Sequence, residues 1–357
     1  MTTPIVPPGI SSVPGLEGWL AANVTGEPVT VTEILLITGG RSNLTYRLTL
    51  STARQLVLRR PPLGHVLPTA HDMSREFRVI SGLAGTDVPV AGAIGYCADA
   101  GVIGAPFYLM DYVPGRVLRT SADTAALTAE QNAALSQGLA DMLAAIHGVD
   151  VATAGLADLG RGAGYLRRQL DRWQRQWQLS MTREVPGYDE LVAALTSKLP
   201  EEGEVTLVHG DFRIDNVLVD AGSATPRILA VVDWEMATLG DPLADLGLTL
   251  VYWTDPGEEG WLNPAADGDA PGLNTDATTS PGFLTRAEFA EKYASRTGRD
   301  ISLIGYYMGF AYFKLAVVLE GINARYLQHQ TVGEGFDREG RAVPILIGRA
   351  NEVLETL

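Results

Sequence analysis

The stretch His209-Gly210-Asp211-Phe212-Arg213-Ile214-Asp215-Asn216, followed 17 residues later by Asp233-Trp234-Glu235, decides how the chain is read. Short β-like runs at 206–209, 217–220 and 228–233 flank it, which places the polar residues in turns and at strand ends. Asp211, Asn216 and Asp233 offer hard oxygens, and no His/Cys cluster with zinc spacing accompanies them, so their donor chemistry suits Mg²⁺. The five-residue interval between Asp211 and Asn216 lets one loop turn back, so that carboxylate and amide serve different partners. Phosphoryl transfer from ATP needs such a set. A carboxylate must stand beside the acceptor hydroxyl, and oxygen ligands must hold the ion that bridges the phosphates, because catalysis there is mostly positioning and charge neutralisation. Asp211 fits the first role, Asn216 and Asp233 the second. His209 is expected to lock the loop by hydrogen bonding.

Outward toward the N-terminus, residues 1–15 are rich in Pro, Ser and Gly and read as a loose arm, followed by a short helix near 15–23. Strand patterns occupy 31–37 and 44–50, joined by the turn Gly39-Gly40-Arg41-Ser42-Asn43, and a third strand covers 55–59 before Pro61-Pro62. Helical spacing over 70–84 puts Phe77, Ile80, Leu83 and Ala84 on one face. Apolar runs at 93–97 and 107–113 complete a five-stranded sheet with one inserted helix, and Pro114-Gly115 ends it. Beyond this point the chain reads as mainly helical. Helices are expected at 128–147 with Thr128 as N-cap, at 163–179, and at 286–297, 301–328 and 343–356. Trp173 and Trp177 share a face with Leu166 and Leu170 and read as core; Arg168, Arg172 and Arg175 lie on another face. Residues 254–280 hold six acids and no base, and read as a long loop.

These residues resemble the aminoglycoside phosphotransferase and choline kinase superfamily, small-molecule relatives of the protein kinases. The group resembled most is the bacterial one similar to the kinase-like domain fused to some acyl-CoA dehydrogenases. Besides His-Gly-Asp with Asn five residues on and the Asp-Trp-Glu segment, the likeness rests on Leu58-Arg59-Arg60-Pro61-Pro62, on 168–177 and on Leu239-Gly240-Asp241-Pro242-Leu243-Ala244-Asp245-Leu246, and it spans about 30–330. The pattern at 209–216 alone arises by chance in loops; its order among the other segments makes it specific. The resemblance implies an α+β, two-lobed protein-kinase-like fold, with a small antiparallel β-sheet lobe carrying one main helix and a larger mainly helical lobe. The expected divisions are an arm and short helix at 1–28, a nucleotide-binding lobe at 29–110, a hinge at 111–115 and a helical catalytic and substrate-binding lobe at 116–357. Nucleotide is expected in the cleft.

Within that frame, Gly39 and Gly40 would let backbone amides approach phosphate and Ser42 would add a hydroxyl, although two glycines in a hairpin turn more often serve positive φ than ligand binding, and the turn lacks a full G-x-G-x-x-G. Protein kinases hold the α and β phosphates with a Lys on the third strand. This lobe has none, and alternation along 56–59 sets Arg59 with Val57 on one face, so Arg59 takes the role, with Glu76 orienting it and Arg60 left as a solvated edge charge. Met110-Asp111-Tyr112-Val113 resembles the kinase hinge, where the Asp111 carbonyl and Val113 amide would take adenine. Arg213 either neutralises transition-state charge or pairs with a nearby acid. Asp241 and Asp245 are expected to brace the catalytic loop, and His147 to cap or pack its helix.

Composition sets the remaining bounds. Forty-six per cent of the 357 residues are hydrophobic and 19% charged, which excludes a disordered chain. The net charge of −15 argues against nucleic acid as a partner. Lone Cys97, the absence of Lys or Arg before Arg41, and the lack of an apolar run near the ~18 residues of a membrane helix point to a cytoplasmic protein with no membrane partner. The expected activity is ATP- and Mg²⁺-dependent phosphorylation of a small-molecule hydroxyl. The acidic 254–280 segment suits an aminoglycoside-like cation, whereas Arg168, Arg172 and Arg175 suit a hydroxy acid or hydroxyacyl compound. A nucleotide-binding pseudokinase is the alternative, on account of the missing Lys and minimal glycine turn.

Overall fold

Alternating apolar residues build five strands, β1 (Val31–Ile37), β2 (Leu44–Leu50), β3 (Gln55–Arg60), β4 (Ala93–Cys97) and β5 (Phe107–Asp111), into one antiparallel sheet of order β1-β2-β3-β5-β4. The computed structural model describes residues 6–37, 43–63, 72–201, 203–257, 276–329 and 339–356. On one face of the sheet Tyr46, Leu48, Leu56, Leu58, Phe107 and Leu109 form a core with helix α1 (Val13–Leu20). Residues from 6 onward are not a loose arm. Ile10 and Val13 enter that core, Ser11 donates to the Ile103 carbonyl at 3.0 Å, and the Tyr46 hydroxyl donates to the Pro8 carbonyl.

Helix α2 (Met73–Leu83) starts at Asp72, whose carboxylate accepts from the Ser74 and Arg75 amides. Its buried face is Met73, Glu76, Val79, Ile80 and Leu83. Ala84, expected on that face, is the exposed C-cap, and Phe77 is half-buried against Tyr96 and Tyr108. The chain divides into two units, of which the first comprises Met1–Gly115, Ala152–Leu156 and Leu229–Ala237. The last segment is tied in by Val231, which donates to the Pro89 carbonyl at 2.8 Å, and by Arg75, which donates to the Ala237 carbonyl at 2.8 Å.

The second unit comprises Arg116–Val151, Ala157–Ile228 and Thr238–Leu357. After the short α3 (Ser121–Thr124) come α4 (Ala129–His147), entered through a capping box of Thr128 and Gln131, then α5 (Tyr165–Ser180) and α6 (Tyr188–Ser197). Strands β6 (Thr206–Val208), β7 (Val217–Asp220) and β9 (Thr238–Gly240) follow, with β6 and β9 paired antiparallel, and β8 (Arg227–Val231) begins here and ends in the first unit. Helices α7 (Pro242–Tyr252), α8 (Arg286–Thr297), α9 (Ile304–Leu327) and α10 (Glu339–Glu355) complete it. α9 packs against α10, α7 and α5, and its aromatic residues join Trp173 and Trp177 in the core as the apolar spacing predicts. At Gly247 a Cβ would stand 2.7 Å from the Tyr307 backbone, so only glycine permits this approach of α7 to α9.

Neither α6 nor α7 was expected from the sequence. Most of the acidic 254–280 segment lies outside the described residues; its end is a 3₁₀ turn, Asp276–Thr279. No helix among the described residues is long and apolar enough to cross a membrane. The fold is α+β, with a small antiparallel sheet unit and a larger, mainly helical unit.

Candidate active site

In the first unit, β3 carries Arg59 in register with Tyr108 of β5, and α2 carries Glu76 beneath the same face. Arg59 is buried and meets three carboxylates. Its Nε stands 3.2 Å from Glu76 Oε2 without hydrogen-bond alignment, one terminal nitrogen donates to Asp233 Oδ1, and Glu235 Oε2 lies 3.9 Å away. Burial works against the guanidinium charge, but Glu76 and Asp233 outweigh it and hold its pKa above the ordinary arginine value. Burial pushes Glu76 up to about 7, with Arg59 pulling it back. Charge on Arg59 is the firmer of the two, since it faces three acids while Glu76 faces one cation.

Asp233 itself sits in the left-handed region at φ 66°, one of three described non-glycine residues at positive φ. Such backbone costs a non-glycine residue about 1 kcal/mol or more, and Asp is among the residues that adopt it most readily. Asn43, just before β2, donates to Glu235 at 2.9 Å, tying it to the Asp-Trp-Glu segment. Sequence reasoning passed over Asn43 and gave Glu235 no role. Arg60 is buried, not solvated, because its guanidinium donates to the Pro61 and Gly9 carbonyls. Asp111 pairs through its side chain with Arg54 at 3.2 Å, and its amide donates to the Gly92 carbonyl at 2.8 Å. Val113 accepts from the Gly115 amide. Gly39, Gly40 and Ser42 lie outside the described residues.

In the second unit, the loop after β6 is fixed almost entirely through its backbone. Asp245 accepts from the His209 amide at 2.7 Å and the Gly210 amide at 2.9 Å. The Asp211 amide donates to His209 Nδ1 at 3.3 Å, Asn216 Nδ2 donates to the Asp211 carbonyl at 2.8 Å, and Thr249 donates to the Phe212 carbonyl at 3.0 Å. Gly210 takes φ 81°, which its lack of a Cβ allows. Asp245 and Thr249 are spaced i, i+4 on α7 and so face the loop together. The missed helix has a legible start in Asp241, which caps it, and Pro242 at its first position.

Asn216 Nδ2 also reaches Asp211 Oδ2 at 3.2 Å. With the amide nitrogen engaged there, Oδ1 of Asn216 is the atom that could ligate a hard cation. Burial raises the Asp211 pKa above the usual carboxylate value, while Arg213, Lys314 and His209 pull it down. Arg213 chelates Asp215 through two bonds of 2.7 and 2.6 Å and lies over the Tyr252 ring at 4.3 Å, so the acid-paired arrangement is the one formed.

Behind the loop, of the two roles expected for His147, capping and packing, the structure shows packing. Gly148 is the C-cap of α4, and the buried His147 ring donates from Nε2 to Asp245 at 3.2 Å and accepts from the Tyr293 hydroxyl at 2.6 Å. Burial lowers its pKa, and Asp245 opposes this. Asp241 accepts from the Tyr307 hydroxyl at 3.0 Å.

Among the described residues no group of three or more His, Cys, Asp and Glu side chains could hold a metal ion. Asn216 Oδ1 and the Asp233 carboxylate are hard oxygen donors, the kind that Mg²⁺ accepts.

Residues 33–278 match the model of the phosphotransferase enzyme family. Acyl-CoA dehydrogenase family member 10 of Mus musculus is 35% identical over 91% of this chain, and family member 11 of Gallus gallus 33% identical over 96%. The chain spans 29% and 43% of the lengths of these two relatives. A solved structure from Ralstonia eutropha, provisionally named an aminoglycoside phosphotransferase, superposes with a TM-score of 0.80 at 30% identity, covering 97% of this chain and 98% of its own. An aminoglycoside phosphotransferase solved with AMP-PNP and hygromycin B shares the fold at a TM-score of 0.60 and 17% identity, covering 96% of this chain and 98% of its own.

Proposed function

Since the chain belongs to the phosphotransferase enzyme family, we propose that it transfers the γ-phosphate of ATP, with Mg²⁺, to a hydroxyl group of a small molecule. The observation that carries this reading is the bracing of the Asp211 loop. An ordinary turn has no need of a buried carboxylate on two consecutive amides, and here Asp245 supplies one while Asn216 ties down both the backbone and the carboxylate of Asp211. Asp211, with its pKa raised by burial, accepts the acceptor's proton as the oxygen attacks. Arg59, oriented by Glu76, is assigned to the α and β phosphates, and Gly39, Gly40 and Ser42 to the remainder of the triphosphate. The Asp111 carbonyl and Val113 amide are assigned to adenine. Asn216 and Asp233 are assigned to Mg²⁺, which when bound neutralises phosphate charge and lowers the barrier to displacement.

Arg59 is bonded to Asp233 in this structure, so on loading both residues would exchange partners, the carboxylate for the cation and the guanidinium for phosphate. Arg213 contributes charge while remaining clamped to Asp215.

For the acceptor we favour a hydroxy acid or hydroxyacyl compound over an aminoglycoside. Support comes from the relatives near 35% identity, which are named as acyl-CoA dehydrogenases, whereas the aminoglycoside-bound structure at 17% identity bears on the fold alone. The pseudokinase alternative is weakened by Arg59, a cation on the third strand that faces Glu76 as the absent Lys would.

The test is a metabolite screen by mass spectrometry with the protein, MgATP and a panel of hydroxylated compounds. A gain of one phosphate on a hydroxy acid or hydroxyacyl compound is expected. Mg²⁺-dependent ATP binding with no phosphorylated product would favour the pseudokinase, and phosphorylation of aminoglycosides alone would overturn the acceptor assignment.

A further inference from the structure

The Gly210–Asp211 peptide is gripped at both of its polar ends. Its N–H donates to His209 Nδ1, and its carbonyl, that of Gly210, accepts from Lys314 Nζ at 3.1 Å. A peptide unit is planar, so holding both ends fixes the rotation on either side of it and with it the direction of the Asp211 carboxylate. His209 belongs to the motif that marks the loop, but Lys314 lies 104 residues from Gly210 on α9 and belongs to no motif.

Lys314 is half-buried, and burial lowers its pKa while Asp211 and Asp245 pull it back toward charge and Arg172 opposes them. The chain has three lysines among 27 basic residues. Lys198 donates to the Leu354 carbonyl at the chain's end and Lys292 pairs with Asp141 at 3.3 Å, so Lys314 is the one placed on the loop. A packing position on this helix would be filled more cheaply by an apolar residue, as its neighbours are.

We infer that Lys314 is a positioning residue of the phosphoryl-transfer step, setting the Gly210–Asp211 peptide plane from α9 and so aiming the acceptor-side carboxylate. The inference rests on the proposed phosphotransferase function, and its test separates the two. The probes are MgAMP-PNP, titrated by calorimetry, and MgATP hydrolysis with water as acceptor, followed by phosphate release, so no acceptor need be known. Lys314→Met should lower hydrolysis about 10- to 100-fold, the scale of a misaimed catalytic group, with the MgAMP-PNP Kd within about 2-fold of wild type. Lys314→Arg, which keeps charge and donor, should recover to within about 5-fold of wild type.

A merely structural lysine would show a lowered Tm, a rate that follows the folded fraction, and no rescue by Arg. Hydrolysis by folded Lys314→Met within 2-fold of wild type, or equal impairment of the Arg and Met variants, overturns the inference while leaving the proposed function intact. Should the Met variant not fold, Lys314→Gln is measured against Lys314→Arg, and Gln matching Arg overturns it. A wild-type protein that neither binds MgAMP-PNP nor hydrolyses MgATP removes the proposed function and this inference with it.

Discussion

The charged cluster around Arg59 and the turn around Asp211 solve opposite problems. In the first unit, side-chain charges meet one another: one guanidinium faces Glu76, Asp233 and Glu235. In the second, side chains meet backbone: Asp245, His209, Asn216, Lys314 and Thr249 each hold an amide or carbonyl of residues 209–212. Charge–charge contacts can exchange for phosphate and cation without unfolding anything, whereas amides held by a buried carboxylate have no other acceptor. The first arrangement suits ligand exchange and the second a fixed geometry.

Substitution of carboxylates by amides probes this contrast. Asp245→Asn should have the largest effect, a loss of about 3 kcal/mol in urea unfolding. It replaces a charge-assisted acceptor of two amides and the His147 ring with a group that must present a donor to one of them. Turnover should fall with it.

A smaller effect is expected from pH. His147 has a folded pKa below its unfolded value of about 6.5, because burial disfavours the imidazolium. Its contribution is therefore complete above about pH 6.5 and is lost as pH falls toward the folded value, since the unfolded chain takes up the proton first. The urea midpoint of wild type should decline by the equivalent of about 1 kcal/mol from pH 7 to 5, and His147→Gln should flatten that decline. Asp245, with a pKa held down by His147 and the His209 amide against burial, adds a second loss at lower pH, below about 4, and Asp245→Asn should abolish it.

Least affected should be Glu235→Gln. The Gln oxygen still accepts from Asn43, and Arg59 keeps Glu76 and Asp233, so a change within about 0.5 kcal/mol is expected from thermal unfolding. A loss as large as that of Asp245→Asn would erase the contrast between the regions.

Much of the fold was legible because period and punctuation agree locally. The five strands and α2 lie where alternation and the Gly and Pro breaks put them, and Arg59 follows from the two-residue period of β3. The residues that a motif singles out could be named from the sequence, but their bonding could not. Whether Arg213 would pair with an acid was open until Asp215 proved to chelate it. Arg60 looked like an edge charge because nothing local shows that the Gly9 carbonyl arrives to receive it. The helix α7 was missed although Asp241-Pro242 signals its start, since its residues are apolar on nearly every side and give no amphipathic stripe. Lys314 and His147 could not be assigned from sequence, because their partners stand 104 and 98 residues away.

The most direct measurement is turnover and nucleotide affinity of Asp211→Asn in one preparation. The variant should lose MgATP turnover by about 1,000-fold or more while binding MgAMP-PNP within about 2-fold of wild type, because the proposed role of this carboxylate is in the transfer step and not in holding nucleotide. Turnover retained within about 10-fold, or affinity lost in step with turnover, would contradict the account.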